Sequence, residues 1–243
     1  VTYEREVARD ILLPVLDRHG IDLRQRLLEV GAGYGGACLE FTKRGAATVA
    51  LEYDRDSAVM GAALTGPEGV VFVRGAAEHL PFRDGRFDLV VMHEVVEHLA
   101  DPEAGLRECL RVLAPGGHLL LTFPPYYSPY GGHVKIRFLL YLPWVHLWLP
   151  RRWILRLSES RLSLITERRQ RWLMDSENRI TLRRFTNILK CLPATVRYHR
   201  WYFIRPVFKM RYGAPVVGAG PLARIPLLRE ILVTGTEYLL RKS

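Results

Sequence analysis

The chain has 243 residues, enough for one α/β domain with an elaboration and too few for two full enzyme domains. Hydrophobic residues make up 49% and charged residues 25%, which excludes a disordered, fibrous or repeat protein. Three separated cysteines without a CxxC pair exclude a disulfide framework and a structural zinc site, so we expect a reducing, cytoplasmic compartment.

Residues 1–24 lack the basic start and apolar core of a signal peptide. Their apolar residues recur at helical spacing, which predicts an amphipathic helix. We therefore expect no export from this segment.

Residues 25–123 alternate short apolar runs with helical periodicity, the pattern of a parallel sheet covered by helices. Five strands are predicted, at RLLEV, ATVALE, GVVFV, FDLVVM and HLLLTF. The helix before the fifth strand is predicted to end at the Pro-Gly-Gly turn that starts at Pro115. Ligands bind beyond the carboxyl ends of strands in open α/β sheets, which places Glu29, Glu52 and His93 at a candidate site.

The pattern changes in residues 124–180, which we interpret as a helical insertion that binds the acceptor. The segment PPYYSPYGGH predicts an ordered loop over the strand ends. It is followed by FLLYLPWVHLWLP, which Pro143 and Pro150 interrupt and which is too short to span a bilayer of about 30 Å.

Residues 181–243 are predicted to add a helix and two closing strands. The last strand is expected to start near Glu230, to run in reverse and to form a hairpin at the sheet edge. The whole chain, 1–243, is thus predicted to be a single domain with an α/β, Rossmann-like fold. Its seven-stranded, mostly parallel sheet would carry helices on both faces.

Charge is divided between the two halves of the chain. Residues 1–123 contain 13 Lys and Arg and 19 Asp and Glu, a net charge of −6, whereas residues 124–243 contain 22 and 6, a net charge of +16. This asymmetry predicts that the second half faces something anionic, such as phosphate, an acidic membrane or nucleic acid. A solvated basic surface is the alternative.

The segment LLEVGAGYGG is a strand that ends in an acidic residue and turns through glycines into a helix, as nucleotide-binding folds do. Glu52 ends the second strand at the spacing where a carboxylate can accept ribose hydroxyls. GAAEHLPF, VVMHEVVEHL and RVLAPGGHLLLTFP then follow in order. This series resembles the class I methyltransferases that include ubiquinone- and menaquinone-biosynthesis enzymes. The resemblance is close over residues 25–125.

The resemblance implies S-adenosylmethionine as cofactor and a site formed by Glu29, Gly31, Ala32, Gly33, Gly35, Glu52, Tyr53, Ala76, Ala77, Glu78, Met92 and His93. The first five would line the methionine part, and the next would hold the ribose. Tyr53 would stack on adenine or simply pack against the protein. Ala76 stands where many relatives have Asp, so backbone groups near Ala77, or Glu78, would have to recognise adenine. Met92 and His93 would pass beneath the sulfonium.

Methyl transfer to a hydroxyl acceptor needs a group that takes the proton. His133 follows the loop after the fifth strand and is the first candidate for this general base, although it could instead fix the loop by hydrogen bonding. His93 is the second candidate. Tyr126, Tyr127 and Tyr130 are expected to shape the acceptor pocket.

Glu94, Glu97 and His98 form an ExxEH motif. Two carboxylates and an imidazole could bind a divalent cation, as in the ubiquinone-biosynthesis and small-RNA methyltransferases that this motif resembles. The same residues brace loops in relatives that use no metal. We assign no metal ligands from the sequence.

Three hypotheses describe what the second half of the chain binds or does. Trp144, Trp148 and Trp153 lie beside arginines, so residues 138–156 could contact an anionic membrane peripherally, at its inner face, or form a buried cap. The segment RYHRWYFIRPVFKMRY could instead bind RNA, which would make the protein an RNA methyltransferase. A cofactor-binding scaffold without catalysis is the third hypothesis. The favoured function is O-methylation of a small or lipid-linked hydroxyl compound, such as a glycan, polyketide or quinone-type intermediate.

Overall fold

The computed structural model describes residues 1–129, 143–150, 152–153 and 177–243. The predictions for His133, for Tyr130 and for residues 138–142, 151 and 154–156 of the segment 138–156 lie outside these residues.

The chain begins with a helical segment that changes its geometry midway. Helix α1 (Thr2–Val7) continues into a π-helical turn (Ala8–Leu12) and then into helix α2 (Leu13–Arg18). Pro14 has no N–H to donate to a carbonyl one turn earlier, and a π-helical turn relieves the clash of its ring with that carbonyl. The amphipathic helix predicted over residues 1–24 is therefore present, but it is shorter and irregular.

Eight strands form one sheet in the order β3-β2-β1-β4-β5-β8-β6-β7. The strands are β1 (Arg26–Val30), β2 (Ala47–Glu52), β3 (Val71–Arg74), β4 (Phe87–His93), β5 (Leu113–Phe123), β6 (Ala194–Ile204), β7 (Val217–Gly218) and β8 (Gly235–Lys242). The first five pair in parallel, whereas β8 is antiparallel to both β5 and β6. The predicted Rossmann-like sheet with a reversed last strand is confirmed.

Helices connect the strands and cover the sheet. They are α3 (Gly36–Lys43), α4 (Arg55–Thr65), α5 (Pro102–Val112), the single turn α6 (Val145–Trp148), α7 (Leu182–Lys190), α8 (Pro206–Tyr212) and α9 (Pro226–Leu232). Asp54, Asp101 and Thr181 precede three of these helices, and their side chains accept hydrogen bonds from backbone N–H groups of the first turn.

Three details of the prediction were wrong. The sheet of the described residues has an eighth strand, the two-residue β7, which lies at the edge beyond the antiparallel pair of β8 and β6. The residues predicted to begin the last strand form α9, because Pro226 starts a helix and the Glu230 carboxylate accepts from the N–H groups of Leu182 and Arg183. Helix α5 ends at Val112, and β5 begins directly after it.

Strand alternation divides the core into two layers. Val90 and Met92 of β4 pack on the side of the sheet that contains Leu106 of α5 and Phe185 of α7. Val91 and its alternate neighbours pack on the opposite side, with the α1–α2 segment and α8.

The insertion after β5 is partly described. Trp144 donates its indole N–H to the carbonyl of Ile231 (3.3 Å), which attaches this segment to α9, whereas Trp148 and Trp153 are exposed. Trp144 therefore packs against the fold, and membrane contact through Trp148 and Trp153 stays a prediction. Among the described residues, no helix is both long and apolar enough to cross a bilayer.

Asp88 connects the start of β1 to β4. It accepts from the backbone N–H of Arg26 (3.1 Å) and from its guanidinium (2.8 and 2.6 Å), and these bonds lower the pKa of Asp88. We expect Asp88→Asn to lower the free energy of unfolding by about 0.5–1 kcal/mol at neutral pH, because the pair is partly exposed. The measurement is urea denaturation.

A carboxylate with a lowered pKa stabilises the fold above its ordinary pKa and loses that effect as pH falls through the lowered value. The difference between the wild type and Asp88→Asn should therefore vanish in strong acid. A double-mutant cycle with Arg26→Gln isolates the pair, and a coupling of zero would contradict its stabilising role.

Candidate functional site

The loop after β1 has a backbone that only glycine adopts readily. Gly31, Gly33 and Gly35 have φ angles of 73°, 56° and 77°, in the left-handed region. The N–H groups of Gly31 and Ala32 donate to the carbonyl of Leu51 at the end of β2 (2.9 and 3.0 Å), which fixes the turn. Four of the predicted cofactor residues therefore share one tight loop at the carboxyl edge of the sheet.

No side chain fits at the three glycines of this loop. A Cβ atom would lie 2.3 Å from Val95 at Gly31, 2.5 Å from the Glu4 carboxylate at Gly33, and 2.7 Å from the Phe72 ring at Gly35. The loop is thus closely packed between α1, β3 and the segment after β4.

Glu4 of α1 binds the glycine loop directly. Its carboxylate accepts from the N–H groups of Tyr34 (3.1 Å) and Gly36 (3.0 Å), at the start of α3, where a negative charge is favourable. Sequence reasoning missed this residue because residues 1–24 were interpreted only as an amphipathic helix. The available signal was an acidic residue in the first turn of the predicted helix.

Two carboxylates lie at the ends of β1 and β2. Glu29 is buried beneath the loop, where burial raises its pKa to about 8 and the thiol of Cys38 donates to it (2.8 Å). Glu52 is half-buried and accepts from the N–H groups of Gly33 (2.8 Å) and Asp54 (2.9 Å). Glu52 is therefore positioned at the surface of the loop, and Glu29 is positioned behind it.

The residues predicted around adenine differ in exposure. The Tyr53 ring is 61% exposed, so the packing alternative has no support and stacking on a ligand stays a prediction. Ala77 is buried, and the Glu78 carboxylate accepts from the N–H of Ala100 (2.8 Å) at the approach to α5. With Glu78 engaged in this way, recognition of the adenine edge by backbone groups near Ala77 stays the prediction.

Met92 and His93 face opposite sides of the sheet. The Met92 side chain is fully buried in the α5 layer, so only its backbone can face a ligand. His93 is on the α1–α2 side, and its Nδ1 lies 2.6 Å from the Thr122 hydroxyl of β5.

A row of polar side chains crosses the sheet at this edge. His93 of β4 is in register with Thr122 of β5, and Thr122 is in register with Glu237 of β8. Glu237 is buried, accepts from the hydroxyl of Tyr202 (3.1 Å) and has a pKa raised by burial. We call these three residues, His93, Thr122 and Glu237, the polar row. The sequence did not identify its β8 member.

The residues of the ExxEH motif lie in different surroundings. Glu94 has a left-handed backbone (φ 53°) and forms an ion pair with Arg205, which precedes α8. Glu97 is buried, and Asn178 donates to the carbonyls of Val96 (2.7 Å) and Leu99 (2.8 Å) that flank it. In the described ranges, no group of three His, Cys, Asp or Glu side chains is arranged to hold a metal ion.

Comparisons with known proteins agree with this geometry. Residues 28–121 match the family model described as a methyltransferase domain. An uncharacterized methyltransferase of Mycolicibacterium vanbaalenii is 37% identical over 107 residues, which is 44% of this chain and 42% of that relative. The chain thus spans less than half the length of this curated relative.

Solved structures extend the similarity to the whole fold. A Thermotoga maritima protein described as an S-adenosylmethionine-dependent methyltransferase, possible histamine N-methyltransferase, aligns with a TM-score of 0.58 and 17% identity over 100% of this chain and 95% of its own. The cyclase SpnF aligns with a TM-score of 0.59 and 16% identity over 96% and 80%. At these identities the structures show the fold alone.

The fold and the glycine loop thus agree with the similarity of residues 28–121 to a methyltransferase domain. The cofactor that this similarity implies is S-adenosylmethionine. The residues present fit that cofactor, because an exposed tyrosine ring, a half-buried carboxylate and a loop with three glycines adjoin at one edge.

Glu52 is predicted to hold the ribose hydroxyls. Glu52→Gln should weaken the binding of S-adenosylhomocysteine by about 10- to 100-fold, because hydrogen bonds to a charged group are replaced by bonds to a neutral amide. Isothermal titration calorimetry measures this. The matched control is Glu68→Gln, which removes an exposed carboxylate after α4 and should bind like the wild type. Unchanged affinity in Glu52→Gln would exclude the ribose role.

Proposed function

We propose that the protein transfers a methyl group from S-adenosylmethionine to an oxygen atom of a small or lipid-linked hydroxyl compound, with His93 as the general base. The observation that supports this most is the burial and the hydrogen bonding of the His93 side chain. Its Nε2 atom is buried and has no hydrogen-bond partner within the described part of the chain. A buried imidazole nitrogen without a partner, at the ligand-binding edge of the sheet, is suited to accept a proton from an acceptor.

The surroundings of His93 favour the neutral imidazole. Burial lowers its pKa, Arg205 lowers it further, and Glu94 and Glu97 act in the opposite direction. When the proton is on Nδ1, His93 donates to Thr122 and presents the lone pair of Nε2.

His93 is adjacent to the cofactor loop. Val30 of β1 pairs with Met92 of β4, so Gly31 and His93 are the next residues along the two neighbouring strands. Val95 packs against Gly31, which brings the segment after β4 against the loop. An acceptor held at His93 would therefore lie beside the methionine end of the cofactor site.

The proposed step is an in-line displacement. Bound S-adenosylmethionine supplies a methyl carbon, to which the acceptor oxygen bonds while the carbon–sulfur bond breaks with its electron pair on sulfur. The proton of the acceptor hydroxyl passes to Nε2 of His93 and later to water. The protein contributes position, water exclusion and this proton transfer.

His133, the first candidate from the sequence, lies outside the described residues, so the two histidines are to be compared by mutation. We expect His93→Gln to lower kcat by about 100- to 10,000-fold, the range that general bases contribute. His133→Gln should retain most of the activity. Transfer of labelled methyl groups to lipid, RNA and small-molecule fractions of a cell extract provides the assay.

Two controls accompany this comparison. Both variants should bind S-adenosylhomocysteine as the wild type does. The wild-type rate should fall on the acid side only below pH 6.5, the ordinary pKa of histidine, because a base must be neutral to act. Full activity of His93→Gln would refute the assignment of His93 as the general base. Loss of activity in His133→Gln alone would assign that role to His133.

A lipid-linked acceptor is supported by exposed apolar residues. Leu147, Trp148 and Trp153 are 42%, 60% and 47% exposed, and Arg152 lies among them. Aromatic and basic residues in this combination are typical of segments that rest at a membrane interface.

The protein should therefore bind vesicles that contain anionic lipid. The double variant Trp148→Ala/Trp153→Ala should lose most of this binding in a flotation assay, whereas Tyr212→Ala, an exposed aromatic residue at the end of α8, should not. No flotation of the wild type would remove the membrane contact and favour a small acceptor.

The RNA alternative has less support. The aromatic residues of β6 that could stack on bases are engaged in the fold, since Trp201 donates to the Tyr238 hydroxyl (2.8 Å) and Tyr202 donates to Glu237. Label that appears only in the RNA fraction would nevertheless overturn the choice of a small or lipid-linked acceptor.

A further inference from the structure

A small cavity lies beside the polar row. It measures about 30 Å³ and is lined by residues of five separate segments, among them Ile11, His93, Glu94, Thr122, Arg205 and Glu237. A space of this size holds one or two oxygen atoms. The cavity is therefore suited to a functional group and not to a whole acceptor molecule.

Two buried polar atoms of opposite character belong to residues that line this cavity. Nε2 of His93 and Nε of Arg205 both lack a hydrogen-bond partner among the described residues. Nε of Arg205 can only donate, and Nε2 of His93 can accept when the proton is on Nδ1. A hydroxyl group satisfies both atoms, because it donates its proton and accepts through its lone pairs.

Arg205 is held in place by two contacts. Its Nη1 forms the ion pair with Glu94, and its guanidinium lies 5.5 Å above the Phe208 ring. The side chain is 16% exposed. With Nη1 engaged, the Nε–H remains as a donor from a fixed and largely desolvated cation.

We propose that His93 and Arg205 together form the binding site for the reacting oxygen, and that the acceptor is an acidic hydroxyl compound, a phenol or an enol. This inference rests on the proposed methyl transfer to oxygen. Nε2 of His93 takes the proton, and the Nε–H of Arg205 donates to the oxygen as its negative charge develops.

The proton-transfer energetics favour an acidic hydroxyl. A phenol has an ordinary pKa of about 10, close to that of tyrosine, whereas water has about 15.7 and aliphatic alcohols are similarly weak acids. Histidine has an ordinary pKa of about 6.5, and burial at His93 lowers it. The ordinary pKa of an alcohol therefore lies about nine above that of histidine, and the ordinary pKa of a phenol lies about four above it. The cation of Arg205 reduces this difference because it stabilises the anion.

Binding of para-nitrophenol tests the site without catalysis, because its anion is coloured. In the presence and absence of S-adenosylhomocysteine, the wild-type protein should lower the apparent pKa of the bound phenol by about one unit or more, measured as absorbance against pH. Arg205→Gln should abolish this shift. Arg197→Gln removes the same charge from an exposed position on β6 and should preserve it.

The variant Arg205→Lys is the control for a folding defect in Arg205→Gln. It retains the charge and the ion pair with Glu94 but has no N–H at the Nε position, so the shift should shrink while the circular dichroism spectrum stays native. An unshifted pKa in the wild type, or a wild-type shift in Arg205→Gln, would overturn the proposal.

Acceptor panels then test the substrate class. Phenols should be methylated at least about 100-fold faster than aliphatic alcohols of equal size, and Arg205→Gln should slow the less acidic phenols most. Equal rates for alcohols would refute the substrate class. A shifted nitrophenol pKa without methyl transfer to any acceptor would overturn the proposed function alone, whereas methyl transfer without a shift would overturn the role of Arg205 alone.

Discussion

The antiparallel pairing of β5 with β8 is the constraint on which the candidate acceptor site depends. Because β8 enters the sheet from the edge where β4 and β5 end, its first residues stand beside their last residues. Side chains alternate along each strand, so the in-register residues His93, Thr122 and Glu237 project to the same side. A parallel β8 would have placed Glu237 nearer the opposite edge, and the cavity would have lacked its acidic wall.

The two sides of this edge differ in chemistry. On the side of α5, the strand ends bury apolar residues such as Met92 and Phe123 in a continuous core. On the side of the α1–α2 segment, the last layer is polar and is covered by Arg205 and Glu94. A buried polar layer is costly unless its groups are paired, so the two atoms that have no partner among the described residues are suited to bind a ligand.

Local sequence signals sufficed to predict the strands and the glycine loop of residues 25–123. Five strands followed from apolar runs, and the tight loop followed from Gly31, Gly33 and Gly35, because the required backbone angles are available mainly to glycine. The acceptor half depends on contacts between residues far apart in the chain. Arg205 meets Glu94 across 111 positions, and the register that brings Glu237 beside Thr122 is set by tertiary packing, so no local pattern could reveal either pairing.

Glu4 connects the motion of the first helix to that of the glycine loop. The amide protons of Tyr34 and Gly36 are covered by a carboxylate that lies 30 and 32 positions earlier in the chain. Their exchange with solvent therefore requires α1 to undock, and any opening of the loop must break the same two bonds. Local unfolding of α1 and any opening of the glycine loop are thus coupled equilibria in this molecule.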